Sequence, residues 1–412
     1  MAPPVAAAEA APAPAPADTT EDYSSIVNKL TKLNIVGGAE YRKAVKTGSA
    51  ASWLDRLPEP ARKRFERHGI DLSKGYPKVP EREHIPTFLD EAFEVRNKEY
   101  PYIERGKNAD PEKKALFGAA KEVNDLTAHI GTEIVGLQLA DLTDQQKDEL
   151  ALLIAERVVV FFRDQDLSPQ KQLELGKYWG QVEVHPQVPR VPDGADGENL
   201  AGISTIWQDY LREFYGLPLT FRNSNKGNSQ WHADLVHEFQ PAGITHLHND
   251  TIPAVGGDTL WASGYAAYDK LSPAFQKFLD GKTAIYRSAH AYVDRENPLS
   301  GPKHIEREHP LVRTHPATGW KYLFVNRAMT LRIVGLEPAE SKLILEYLFN
   351  VYEKNLDIQV RWNWKSKDGL GTSAIWDNRI ANHNAVWDHE GKQSRHGTRV
   401  TSLAEIPYFD PA

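Results

Sequence analysis

PAGITHLHNDTIPAVGGDTLW, residues Pro241–Trp261, is the stretch whose reading decides the fold. Pro241–Pro253 alternates apolar and polar residues with the period of two that a strand requires. Gly256-Gly257-Asp258 supplies a turn, and Thr259-Leu260-Trp261 opens a second strand. From Ser204 onward the pattern repeats, with Trp320–Asn326, Arg361–Lys365, Ser373–Asp377 and Thr398–Leu403 as further strands. Upstream, the β-branched and aromatic run Arg157–Arg163 reads as a buried strand. Helical signals are fewer. Thr143 and Gln146 form a capping box ahead of Leu150, Leu153 and Ile154, and Ser168-Pro169 opens another helix. Ser272-Pro273 opens a short one through Leu279, and Pro338–Lys354 presents Leu343, Ile344, Tyr347, Leu348 and Val351 as one stripe. Many short strands with a few outer helices predict a mainly β fold with flanking helices, a double-stranded β-helix or jelly roll.

Just ahead of that stretch stands Trp231-His232-Ala233-Asp234. Residues two apart on a strand share a side, so an imidazole and a carboxylate can reach one ion. The pair alone is weak, because two solvated polar residues at a strand end are the commoner explanation. A second stretch, Trp376-Asp377-Asn378-Arg379 with His383, changes the weighing. A distant His383 would complete two imidazoles and one carboxylate on one face of a metal, the arrangement of non-haem Fe(II) oxygenases.

Composition bounds the alternatives. The chain has 412 residues, 41% hydrophobic and 25% charged, enough to bury a sizeable core. A net charge of −7 argues against a nucleic-acid partner, which needs a basic face. With no cysteine, disulfides and thiolate sites are excluded, so histidines and carboxylates must hold any metal. No apolar run is long enough to span a membrane, and the Ala/Pro-rich residues 1–20 lack the basic start and apolar core of a secretory signal. They read as a disordered tail in a cytoplasmic protein. Residues 21–120, polar and irregular, read as a mostly helical N-terminal extension packed on the core or on a neighbouring subunit. Residues 121–412 read as the compact domain.

His232 and Asp234, the Gly256–Trp261 turn-strand, Trp376–Arg379 with His383, and Arg395 followed by Arg399 together resemble the taurine/α-ketoglutarate dioxygenase family, from about Leu126 to Pro407. The resemblance implies an Fe(II)- and 2-oxoglutarate-dependent dioxygenase using O2. It implies His232, Asp234 and His383 as iron ligands, with three positions left open, and Arg395 and Thr259 as partners of the far carboxylate of 2-oxoglutarate. A guanidinium suits that task because it is permanently charged and grips a carboxylate bidentately. Arg399 would face the substrate's anionic group, with His185 and Asn228 at further substrate positions. Val188 stands where taurine-cleaving members carry tyrosine, so the expected substrate is a small anion such as an alkyl sulfonate rather than taurine itself. Relatives of this kind commonly form homodimers or homotetramers.

Asp234 favours hydroxylation, since halogenating relatives lack that carboxylate. On an alkyl sulfonate the products would be aldehyde and sulfite, with succinate and CO2; no side-chain base is needed. The same chemistry on a carboxylate or biosynthetic intermediate, a non-catalytic metal-binding protein, and a Zn2+ hydrolase are the alternatives. His246 and His248 also have ligand spacing, yet the resemblance assigns iron elsewhere, leaving them at most to line the pocket. His237, His290, His389 and His396 read as surface or hydrogen-bonding residues. Trp231, Trp261 and Trp376 read as core aromatics, Asp258 and Asp377 as turn or ion-pair residues, and Arg379 as a residue with a structural partner.

Overall fold

In the computed structural model, residues 53–79, 87–214 and 231–411 are described. The Ala/Pro-rich tail and Asn228 lie outside them. Fifteen strands run through the described residues. The first eight are β1 (Glu122–Asp125), β2 (Thr132–Val135), β3 (Val159–Gln165), β4 (Ser204–Trp207), β5 (Ala242–Thr251), β6 (Thr259–Ser263), β7 (Thr283–Val293) and β8 (Pro302–Pro310). There follow β9 (Val312–Thr314), β10 (Lys321–Leu323), β11 (Thr330–Ile333), β12 (Gln359–Trp362), β13 (Gly371–Asp377), β14 (Ala381–Ala385) and β15 (His396–Leu403).

A seven-stranded sheet in the order β1-β2-β3-β13-β5-β15-β4 faces a smaller sheet, β12-β6-β14. Together they form the jelly roll. The two sheets meet through aromatics. Phe161 of β3 stacks on Trp362 at 4.1 Å and meets Trp261 edge-on at 5.3 Å, and Trp261 packs against Trp376 at 5.7 Å. Alternation explains why β3 reads as an unbroken apolar run. Val159 and Phe161 enter the core between the sheets, whereas Val160 and Phe162 pack outward with Leu150, Leu153 and Ile154.

The helices begin where the capping chemistry places them. Thr143 and Gln146 close a reciprocal capping box on the Asp144–Arg157 helix, and Ser168 caps Pro169–Trp179 from its side chain. Three expectations need correction. Arg157 ends its helix, and Val158 turns with a left-handed φ of 72°, so the strand starts at Val159. Tyr286–Ile305, which lacks a regular strand pattern in the sequence and so reads as an irregular pocket loop, is mostly the antiparallel hairpin β7–β8. On the Pro338–Lys354 helix the buried stripe is Ser341, Leu345, Leu348, Phe349, Val351 and Tyr352, while Leu343 is 74% and Tyr347 51% exposed.

The segment ahead of β1 packs on the sheets. Trp53, Phe65 and Tyr76 share an apolar cluster with Trp207 of β4 and Val400 of β15, covering the outer face at that end of the large sheet. No helix among the described residues is long and apolar enough to cross a membrane.

Candidate metal centre

His232 and His383 meet because their backbones pair. The His232 N–H donates to the His383 carbonyl at 3.1 Å, and the His383 N–H donates back at 2.8 Å. This isolated bridge adds one residue to the free side of β14 and puts both imidazoles on one face, ring centroids 4.2 Å apart. Asp234 follows two residues on, and Leu235 then turns out of the strand with a left-handed φ of 54°. Ligand atoms of His232, Asp234 and His383 all lie within 4.8 Å of one another. Among the described residues they are the only His/Cys/Asp/Glu group so arranged.

Asn378 holds the loop in place. Its Oδ1 accepts from the Asp234 N–H at 3.0 Å and from Trp376 Nε1 at 3.2 Å. Its Nδ2 donates to Thr245 Oγ1 at 2.7 Å and to the Gly243 carbonyl at 3.2 Å. The Asp234 loop is thereby tied to the large sheet. Asn378 carries no sequence signal beyond its place in the Trp376–Arg379 motif, because an asparagine between Asp377 and Arg379 has no spacing signature of its own.

The donor set fits a divalent metal. Asp234 Oδ1 lies 3.6 Å from His232 Nε2, and Oδ2 accepts from Arg399 Nη1 at 3.2 Å. One oxygen therefore faces the imidazoles while the other is held by the guanidinium. Burial opposes ionisation of Asp234, but Arg399, then His383 and His232, outweigh it and hold its pKa below the ordinary carboxylate value. Burial, then His232, pulls His383 down to about 3, so its imidazole is neutral and able to ligate at neutral pH. His383 Nδ1 is buried without a hydrogen-bond partner. Two imidazoles and a carboxylate on one face are the donor set that binds Fe(II) and leaves exchangeable positions.

Arg395 and Thr259 build an anion site. Arg395 is buried, Nη1 donating to the Gly257 carbonyl at 2.9 Å and Nη2 to Thr259 Oγ1 at 3.3 Å. Its guanidinium lies 5.1 Å from the Trp364 ring, whose Nε1 also donates to Thr259 Oγ1 at 3.2 Å. With two N–H groups donating to it, the Thr259 hydroxyl keeps its own hydrogen for an acceptor. Burial lowers Arg395 to about 10, opposed by Asp258, so it remains cationic at neutral pH. Arg395 Nε is buried without a partner, and among the described residues no carboxylate lies within ion-pair distance of the group. A buried, unpaired cation implies an anion that binds there. The turn presenting Gly257 needs its glycines, since φ is +83° and +70° at Gly256 and Gly257.

His185 is half-buried, accepts from the Gln187 N–H at 3.1 Å and meets His290 edge-on at 5.4 Å. Burial, then Arg96, holds it neutral. His246 and His248 do not join the centre. Both point away from the inner core to Ser373 Oγ, each at 2.9 Å. His237, His389 and His396 are buried, His396 as a hydrogen-bonding residue between Asp250 and Tyr76 and His237 paired with Glu238 at 3.0 Å. Asp258 pairs with Arg361 at 2.6 Å, and Arg379 with Asp377, Glu104 and Glu405. The three tryptophans are in the core.

Known proteins resemble this chain over most of its length. The family described as "Taurine catabolism dioxygenase TauD, TfdA family" matches residues 122–401. An alpha-ketoglutarate-dependent sulfonate dioxygenase of Saccharomyces cerevisiae is 35% identical over 294 residues, covering 70% of this chain and 68% of that protein. The alpha-ketoglutarate-dependent dioxygenase cnsP of Penicillium expansum is 35% identical over 318 residues, covering 75% and 82%. A crystal structure of a taurine dioxygenase from Burkholderia xenovorans superimposes with a TM-score of 0.56 at 30% identity, covering 70% of this chain and 91% of that one.

Proposed function

The chain belongs to the TauD/TfdA family of 2-oxoglutarate-dependent dioxygenases, and on that premise we propose that it hydroxylates an alkyl sulfonate, releasing aldehyde and sulfite. Fe(II), 2-oxoglutarate and O2 are its cofactor and cosubstrates, and bound together they supply the oxidation of a substrate C–H with succinate and CO2 as coproducts.

In this reading His232, Asp234 and His383 hold the iron. Arg395 and Thr259 receive the far carboxylate of 2-oxoglutarate, and the buried Arg395 guanidinium, with Nε unsatisfied and no carboxylate beside it among the described residues, is the observation that carries the assignment. Arg399 receives the substrate's sulfonate. Its contact with Asp234 Oδ2 places that charge beside the ligands, so substrate binding orients the reacting carbon toward the metal face. His185, held neutral, offers a hydrogen bond without a second charge, and the family resemblance adds Asn228 as a further substrate residue. Once the carbon bearing sulfur is hydroxylated, the C–S bond breaks, its electrons leave with sulfite, and the hydroxyl proton departs as the carbonyl forms. No side-chain base is required.

The sulfonate assignment is supported by the name of the Saccharomyces relative and by a second guanidinium at the centre. The test incubates Fe(II)-loaded protein with 2-oxoglutarate, O2 and a panel of alkyl sulfonates, sulfate esters and small carboxylates. Succinate and sulfite formed in equal amounts on a sulfonate are expected. Succinate coupled only to a carboxylate would move the substrate class, and none with any substrate would overturn the activity.

A further inference from the structure

The face of β15 behind the two arginines is gripped by residues from ahead of the matched family region, which starts at residue 122. On β15 the odd positions Arg399 and Thr401 point inward, toward Asp234 and Thr245. The even positions His396, Thr398 and Val400 point outward, onto Tyr76, Arg64 and the Trp53–Tyr76 cluster. Arg64 is 3% exposed, and Nη1 donates to Thr398 Oγ1 at 3.0 Å and to Asp250 Oδ2 at 2.9 Å. Asp250 Oδ1 bonds His396 Nδ1 at 2.6 Å, and the Tyr76 hydroxyl bonds His396 Nε2 at 2.5 Å. His396 sits between Phe65, Tyr76 and Trp207 with ring centroids at 5.8, 5.5 and 5.9 Å.

The pairing of β15 with β5 is also irregular there. His396 stands opposite Thr251 and Gly397 opposite Asn249, so Asp250 is an extra residue on β5. A bulge re-aims the side chains around it and needs something to fix its conformation. Here the carboxylate of the bulged residue is held from both sides, by Arg64 and His396. Arg395 lies one residue before this junction and Arg399 three after it.

We propose that Arg64 and Tyr76 are positioning residues for anion recognition: by fixing His396 and Thr398 on the outer face of β15, they set where Arg395 and Arg399 point on the inner face. The proposal rests on the reading that Arg395 receives 2-oxoglutarate. A shift of about 1 Å in a guanidinium breaks bidentate geometry, so the effect falls on anion affinity first. The metal ligands are anchored away from β15, His383 on β14 and His232 on the backbone bridge to it. The Asp234 N–H is held by Asn378, so the Arg399–Asp234 contact is their direct link to the shift.

The test titrates 2-oxoglutarate anaerobically into full-length, Fe(II)-loaded wild type, Tyr76→Phe, Arg64→Lys and the control Arg67→Ala, whose partner is the exposed Asp166. Fe(II) affinity and melting temperature are measured alongside. Tyr76→Phe and Arg64→Lys should each weaken 2-oxoglutarate binding about fivefold, as loss of one buried hydrogen bond predicts. Fe(II) affinity should stay within about twofold, and Arg67→Ala should match wild type. Unchanged 2-oxoglutarate affinity in both variants overturns the proposal. So does a parallel fall in Fe(II) affinity and melting temperature, which signals general loosening. Should an Arg64 variant fail to fold, Tyr76→Phe, which removes a single hydroxyl, decides. A wild type that takes up no 2-oxoglutarate would instead sink the cosubstrate reading.

Discussion

Arg395 keeps a positive charge at 5% exposure with hydroxyl, carbonyl and indole neighbours but no carboxylate. Arg395→Met should therefore leave folding intact or slightly improved while weakening 2-oxoglutarate binding at least about tenfold, by the 1.5–3 kcal/mol of a hydrogen bond to a charged group. Calorimetric titration checks it. The buried histidines make a separate prediction. Burial, then Arg64, pulls His246 down to about 3, and burial depresses His248 as well. Above the unfolded value near 6.5 neither folded nor unfolded chain carries the proton, and the contribution is complete. As pH falls through 6.5 the unfolded chain takes up protons that the folded one refuses, so stability declines until the folded value is reached. Melting temperature should be flat above pH 7 and fall between pH 6.5 and 5, more shallowly in His246→Gln. A temperature profile flat across that range would contradict it.

At the scale of elements, the Pro338–Lys354 helix separates pattern from packing. Leu343 and Leu348 are equally apolar in the sequence, yet Leu348 is fully buried and Leu343 is not. Leu348→Ala should cost about 2–5 kcal/mol in urea unfolding, and Leu343→Ala less than about 0.5 kcal/mol. A periodic stripe fixes a face only to within about a hundred degrees, and here Ser341, unremarkable in the sequence, lies inside it because its hydroxyl accepts the Ile333 N–H at 2.8 Å. The capping residues Thr143 and Ser168 were legible, since a cap acts within three residues of itself. The β7–β8 hairpin was not. Its turn and its charged, half-exposed β8 carry little period-two signal, and pairing along most of its length holds it.

Across the whole molecule, the polar N-terminal segment contributes more than its composition suggests. Arg96, at the end of the Leu89–Arg96 helix, lies between Glu183 (3.0 Å) and Glu238, all three nearly buried. Arg96→Met would leave Glu183 without its ion-pair partner and Glu238 with His237 alone, and removing one partner of a buried pair costs about 3–5 kcal/mol. Denaturant unfolding of that variant should show the loss. Neutralising the two glutamates as well (Arg96→Met with Glu183→Gln and Glu238→Gln) should recover most of it. The sequence by itself determined the identities and local geometry: the strand alternation, the caps, the His232–Asp234 pair, the order of motifs, and the candidate ligands. Spacing encodes which face a side chain takes. It does not encode which distant strand lies opposite, and that was decided only by tertiary packing. His383 comes to His232 through a backbone bridge, and Arg64 reaches partners 186 and 334 residues away. The physical reason is that a buried charge is tolerated only where the finished fold supplies its hydrogen bonds, and those partners exist nowhere along the local chain.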